Sequence, residues 1–456
     1  MKRVHFIAIG GAAMHNLALA LHQKGYNVTG SDDEIFEPSR SRLLAAGLLP
    51  KEYGWFPEKI RKDLDAVILG MHAREDNPEL IQAKKLGLNI YSFPEYLYQQ
   101  TQDKIRVVIG GSHGKTTITA MILFVLKKMN KKFDYMVGAQ IEGFDTMVGL
   151  SEESRIAVFE GDEYLTSPID LRPKFHVYQP HIALISGIAW DHINVFPTFD
   201  NYVEQFRIFS SKIEKDGKLI YFDGDKNLCD IAEKVRPDIT ALGYNTHENK
   251  IKDGKTYLCS KFGDFPINVF GEHNLQNING ARLVCYQLGI QDKDFYNAIS
   301  EFAGAANRLQ KIVENDNAIA YKDFAHSPSK LKATVHAVKQ QYPNRKLVAC
   351  MELHTFSSLT EEFLPEYKDS MKEADIAFVY FNPEVIKHKK LKEISAKEVA
   401  EAFGGNNLNV FTDSQQLQDS LRKINFENKN LLMMSSGNFD GVNVIEFAKE
   451  LLRETL

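Results

Sequence analysis

Short apolar runs and stretches with apolar residues at three-and-four spacing alternate along the whole chain, which is the pattern of strands and helices wound into parallel sheets. The apolar runs predict strands at 5–9, 26–29, 106–109, 156–159, 181–185, 218–221, 318–321, 346–350, 376–380 and 431–434. Each is four or five residues long, and most end at glycine, polar or acidic residues, as buried parallel strands do. Helical spacing is plain after residue 117: Ile118, Met121, Ile122, Val125, Leu126 and Met129 share one face, and Lys127 and Lys128 suit a C-terminus. A further helix runs through Leu17 to Leu21. A polar break at 98–104 and a small-residue stretch at 301–310 divide the pattern into three α/β segments, 1–100, 101–304 and 305–456.

Composition narrows the class without deciding it. A chain of 456 residues is too long for one core, and 44% hydrophobic with 25% charged residues is ordinary for soluble multi-domain proteins. Lys+Arg 55 against Asp+Glu 60 leaves a net charge of -5, which argues against bulk nucleic-acid or anionic-membrane binding. Cys229, Cys259, Cys285 and Cys350 lie far apart and form no metal-ligand spacing, so they read as reduced thiols. The apolar run near the start breaks at Gly10 and Gly11, too soon for a signal peptide. A cytoplasmic protein is expected.

The candidate chemistry centres on Gly110-Gly111-Ser112-His113-Gly114-Lys115-Thr116-Thr117, set between a strand and a helix. Glycines let backbone N–H groups turn toward phosphate oxygens, Lys115 can reach β/γ-phosphates, and the Thr116 hydroxyl can ligate Mg²⁺. The strict phosphate-loop pattern is not met, because Ile109 holds its first glycine position. Two later strands end in possible metal ligands, one in Glu160-Gly161-Asp162-Glu163 and one running on to Asp191-His192. Taken singly, such acids also serve as helix caps and such a histidine as an ordinary polar group. His273, Asn274 and Asn277 cluster at a helix start, where amides can read a purine edge or simply cap the helix. Near the N-terminus, Gly10, Gly11 and the post-strand acid Asp32 lay out a degenerate nucleotide-binding βαβ start, which reads equally as a ligand loop or a plain turn.

These motifs, with Gly271-Glu272-His273-Asn274, Asn307-Arg308 and Asp323-Phe324-Ala325-His326-Ser327-Pro328, stand in the order and spacing of the Mur ligases, which the chain resembles from end to end. The resemblance implies three domains: an N-terminal Rossmann-like domain (1–100) for a UDP-muramyl substrate, a central phosphate-loop domain (101–304) for ATP, and a C-terminal Rossmann-like doubly wound domain (305–456) for the incoming amine. It implies that Gly111, Gly114 and Thr117 belong to the phosphate cradle, Lys115 holds the β/γ-phosphates, and Thr116 holds one Mg²⁺. Glu160 and His192 match positions that bind a second metal ion. Asn274 and Asn277, beside His273, match adenine contacts, Arg308 a contact to the γ-phosphate, and Asp323 a contact to the ribose. His326 matches a histidine of the closing C-terminal domain, with residues 302–307 as hinge, and Gly10, Gly11 and Asp32 would lie along the UDP moiety.

The implied reaction is ATP-driven amide formation through an acyl phosphate, with His326 or His192 accepting the amine proton. Residues 202–209 contain no lysine where other branches carry a carbamylated one, which is similar to the branch holding UDP-N-acetylmuramate:L-alanine ligase and murein peptide ligase. The stretches 35–39, 162–164 with the insert through 172–175, and 434–439 look more like murein peptide ligase, which favours a tripeptide amine. His354 instead resembles the alanine ligase, whose arginines are replaced here by Thr355 and Ser358. A nucleotide-gated UDP-sugar-binding protein without turnover is the alternative of another class.

Overall fold

The computed structural model describes residues 1–71, 73–167, 169–190, 195–252, 254–304, 308–405 and 407–453. They form an α/β protein that divides into two compact units, one of Met1–Asn245 with Gln276–Ile299, the other of Thr246–Leu275 with Ser300–Leu456.

Among the described residues, the first unit contains a parallel sheet in the order Asn27–Ser31, Arg3–Ile7, Ala66–Leu69, Ile90–Ser92. Its first strand stops two residues before the predicted end. Ala8 turns out of the sheet at φ 68°, and the N–H groups of Ala8 and Ile9 both bond the carbonyl of Ser31. The same unit holds a seven-stranded sheet in the order Thr240–Tyr244, Lys218–Phe222, Ile182–Ile185, Ile105–Gly110, Ile156–Glu160, Phe133–Met136, Val148–Gly149, parallel except for the last pair. The strand Ile105–Gly110 sits in the middle, where both faces must be apolar, and Val107, Val108 and Ile109 are fully buried. The helix Lys115–Lys128 follows it and buries Ile118, Met121, Ile122, Val125 and Leu126.

Contacts between the two sheet regions of this unit include Asn16 Oδ1 accepting from the N–H of Met147 and Tyr98 O–H donating to Gln179. The fully buried Arg106 donates to the carbonyls of Thr101 and Tyr178 and to Glu214. Arg106 thereby fastens the chain around Thr101, inside the polar break at 98–104.

The second unit contains an antiparallel sheet of Asn249–Lys252, Lys255–Ser260 and Gly263–Ile267. It also holds a six-stranded sheet in the order Gln310–Glu314, Ile319–Asp323, Lys429–Met434, Lys346–Leu353, Ile376–Phe381, Leu408–Phe411, parallel except for its first pair. Ligands of such sheets collect at the carboxyl ends of the strands, where Asp323, Met434 and Met351 stand side by side on neighbouring strands.

Candidate active site

The phosphate-loop region is built on the carboxyl ends of three adjacent strands of the first unit. Gly114 stands at the helix N-terminus with φ 77°, and a Cβ there would lie 2.4 Å from Asn277 Oδ1, so only glycine suits the position. Lys115 Nζ donates to the Gly111 carbonyl at 2.6 Å and to Glu163 Oε2 at 2.8 Å. Burial works to lower the lysine pKa, but the carboxylates of Glu163, Asp162 and Glu160 overcome it and hold the ammonium above its ordinary value. Thr117 is buried in the helix.

Thr116 Oγ1 donates to Glu160 Oε1 at 2.8 Å, and the N–H of Gly138 donates to Glu160 Oε2 at 2.8 Å. Burial pushes the Glu160 carboxyl up, against Gly138, Lys115 and Thr116. Asp162 behaves oppositely, since Lys174 and Lys115 outweigh its burial and hold it below the usual carboxylate range. A hydroxyl and a carboxylate in contact at a helix N-terminus are hard oxygen donors, the chemistry that Mg²⁺ takes beside phosphates. The donor set therefore fits the ion that the sequence implies. His192 lies outside the described residues, as does Asp191.

Residues that carried no assigned role in the sequence complete the cluster. Tyr202 O–H donates to Glu163 Oε1 at 3.0 Å, and the same oxygen lies 3.0 Å from Ser112 Oγ, which accepts from the N–H of Ala189 at 2.8 Å. The phosphate loop, the acidic strand end and the chain following Ile182–Ile185 are thus linked through one phenol. Glu163 was visible as part of an acidic run, but no local pattern pointed to Tyr202.

The remaining predicted residues fall at three places. In the first unit, the N–H of Gly10 donates to Asp32 Oδ2 at 2.6 Å, and Gly11 precedes the helix Ala12–Gln23. Burial raises Asp32 to about 6 despite that bond, with Asp33 adding to the rise. Asn274 and Asn277 are buried on the helix Glu272–Gln287, where Asn274 Nδ2 donates to the Phe270 carbonyl at 2.8 Å.

In the second unit, Asp323 ends its strand and accepts from the N–H groups of Leu309 at 2.5 Å and Ala325 at 2.6 Å. Burial raises its pKa against these bonds and against Arg308, whose guanidinium lies over the Phe324 ring at 5.0 Å. His273 is pulled down to about 4 by burial and by Arg308. His326 Nδ1 donates to the Phe324 carbonyl at 2.9 Å, which leaves the ring lone pair on Nε2. His354 is half-exposed beside Glu352, and Thr355 and Ser358 bond each other in a turn.

Three family models match the chain: Mur ligase family, catalytic domain, at 3–104; Mur ligase middle domain at 109–285; and Mur ligase, glutamate ligase domain, at 307–437. The chain is 32% identical over 396 residues to a UDP-N-acetylmuramate--L-alanine ligase of Caldicellulosiruptor bescii, covering 83% of each. Among solved structures, the UDP-N-acetylmuramate-alanine ligase of Thermotoga maritima superposes with a TM-score of 0.69 at 19% identity, covering 100% of this chain and 99% of that one. A murein peptide ligase of Psychrobacter arcticus superposes with a TM-score of 0.62 at 22% identity, also covering 100% and 99%. The chain belongs to the Mur ligase family. It is accordingly an ATP-dependent, ADP-forming amide ligase of peptidoglycan synthesis, acting on UDP-N-acetylmuramate with an amino acid or peptide.

Proposed function

We propose that the chain joins UDP-N-acetylmuramate to the tripeptide L-Ala-γ-D-Glu-diaminopimelate, as a cytoplasmic enzyme organised over 1–100, 101–304 and 305–456. The insert after the acidic run carries this reading. It forms the hairpin Leu165–Ser167 with Asp170–Pro173 and returns so that Lys174 Nζ donates to Asp162 Oδ2 at 2.6 Å and the N–H of Phe175 to the Asp162 carbonyl. The segment in which the sequence resembles murein peptide ligase is therefore tied directly to the phosphate-loop cluster. L-alanine is the second reading, favoured by the relative that carries that name at 32% identity.

In the proposed reaction the substrate carboxylate attacks the γ-phosphorus of ATP, the bond to the β,γ-bridging oxygen breaks, and ADP leaves. The amine then attacks the acyl carbon, phosphate departs with the C–O electron pair, and the ammonium proton passes to a base, assigned to His326 or His192. Thr116 would hold one Mg²⁺ and Glu160 with His192 a second metal ion, and these would neutralise phosphate charge. Lys115 serves the β/γ-phosphates, and Arg308 the γ-phosphate. Asn274, Asn277 and Asp323 serve the nucleoside, Gly10, Gly11 and Asp32 the UDP moiety, and His354 the amine substrate.

Mass spectrometry of the product formed from ATP, UDP-N-acetylmuramate and equimolar tripeptide and L-alanine tests the choice. The tripeptide adduct is expected to dominate. An alaninyl product alone would transfer the assignment to the second reading.

A further inference from the structure

Glu352, the penultimate residue of the strand Lys346–Leu353, is a buried carboxylate, 3% exposed. One oxygen, Oε2, accepts from Ser435 Oγ and, at 2.8 Å, from the N–H of Phe439, which pins the turn 435–439. That turn begins where the N–H of Ser435 bonds the Asp323 carbonyl, so it lies on the carboxyl edge of the sheet. The other oxygen, Oε1, faces His354 Nδ1 at 3.6 Å. Among the described residues, no lysine or arginine stands within ion-pair reach of Glu352, and the side chain that faces its second oxygen is the imidazole of His354.

The turn does not need a charge there, because the amide oxygen of a glutamine would satisfy Ser435 and Phe439 equally. A buried carboxylate is costly unless something pairs with it, and the unexplained part of this one points at the imidazole. Gly437 closes the arrangement, since a Cβ there would lie 2.8 Å from both Glu352 Oε2 and His354 Cγ. The turn, the carboxylate and the ring are packed against one another, while the ring itself stays 40% exposed.

We propose that Glu352 is a positioning residue for the incoming amine substrate. Its carboxylate, packed with Gly437 against the Nδ1 edge of His354, holds that edge inward, so that the Nε2 edge is turned toward a carboxylate of the amino acid or peptide. This rests on the reading of His354 as an amine-substrate residue.

Steady-state kinetics with Glu352→Gln, His354→Asn and Gly437→Ala test it, with L-Ala-γ-D-Glu-diaminopimelate and L-alanine as amine probes. Glu352→Gln keeps the turn's acceptor and presents an N–H₂ donor to Nδ1. It should raise the amine KM by ~10-fold, the scale of one misplaced substrate contact, and leave the KM values for ATP and UDP-N-acetylmuramate within about twofold. His354→Asn should do the same, and Gly437→Ala should follow by displacing the ring. If His354→Asn raises the amine KM and Glu352→Gln does not, the positioning role is overturned while the reading of His354 stands. If neither moves it, the reading of His354 itself fails. A rise in all three KM values together with a lowered unfolding temperature would make Glu352 merely structural and overturn the proposal. Should Glu352→Gln not fold, Gly437→Ala carries the test, and an unchanged amine KM in that variant overturns the proposal.

Discussion

Lys115 Nζ lies 2.8 Å from Glu163 Oε2, so the cation proposed for the phosphates of ATP is paired with a buried carboxylate. Glu163 is in turn held by Tyr202, whose oxygen also meets Ser112 of the phosphate loop. The carboxylate of Glu163 thereby opposes the approach of a triphosphate to Lys115.

Removing the lysine should abolish ligation without unfolding the protein, because its charge meets the phosphate loop and acidic residues rather than an apolar core. Lys115→Ala should retain its circular dichroism and unfolding transition while ATP-dependent turnover is lost. Normal turnover in that variant would contradict the role given to the loop.

Glu163→Gln should tighten ATP binding in calorimetry by roughly 3- to 10-fold, since breaking a part-buried ion pair no longer opposes it and one negative charge near the triphosphate is gone. Tyr202→Phe keeps the charge and should shift affinity by less. Weaker ATP binding in Glu163→Gln would mean that Glu163 supports the bound state instead.

Thr116, proposed for one Mg²⁺, and Glu160, proposed for the second metal ion, are in contact. Glu160→Ala should reduce turnover by at least ~10²-fold, the scale of removing one preorganised electrostatic group, and shift the Mg²⁺ titration to higher concentration. An unchanged Mg²⁺ titration would remove Glu160 from the metal site.

His176 is buried, stacked on Phe175 at 4.8 Å, with Nε2 donating to the Gln205 carbonyl, and burial pulls it down to about 4. Its folded pKa lies below the unfolded value of 6.5. Its contribution to stability is therefore present above pH 6.5 and is lost as pH falls toward 4, by an amount on the order of 3 kcal/mol. Urea midpoints between pH 7 and 4.5 should fall less steeply for His176→Phe than for the natural chain. Parallel slopes would count against a neutral buried imidazole.

Several internal strands were legible because residues 107–109 and 347–351 are buried on both faces and read as apolar runs, although the internal strand Ala66–Leu69, equally apolar and buried, was passed over. Among the edges Asn27–Ser31 was read at 26–29, while others were not. All four residues of Asn249–Lys252 are exposed, and Gln310–Glu314 is polar at both ends, so neither offers a run or a clean alternation. The site divides in the same way. Gly114, Lys115 and Thr116 are adjacent in sequence and obey local strand–loop–helix rules. Tyr202 reaches Glu163 across 39 residues and Ser435 reaches Glu352 across 83, contacts that no local pattern contains.

The central claim is that ATP phosphorylates the carboxylate of UDP-N-acetylmuramate at the phosphate loop before the amine attacks. It is tested most directly with UDP-N-acetylmuramate labelled with ¹⁸O in that carboxylate. One labelled oxygen should appear in the phosphate released for each amide bond formed, because the acyl C–O bond breaks when phosphate leaves. Unlabelled phosphate released in step with amide product would contradict the account.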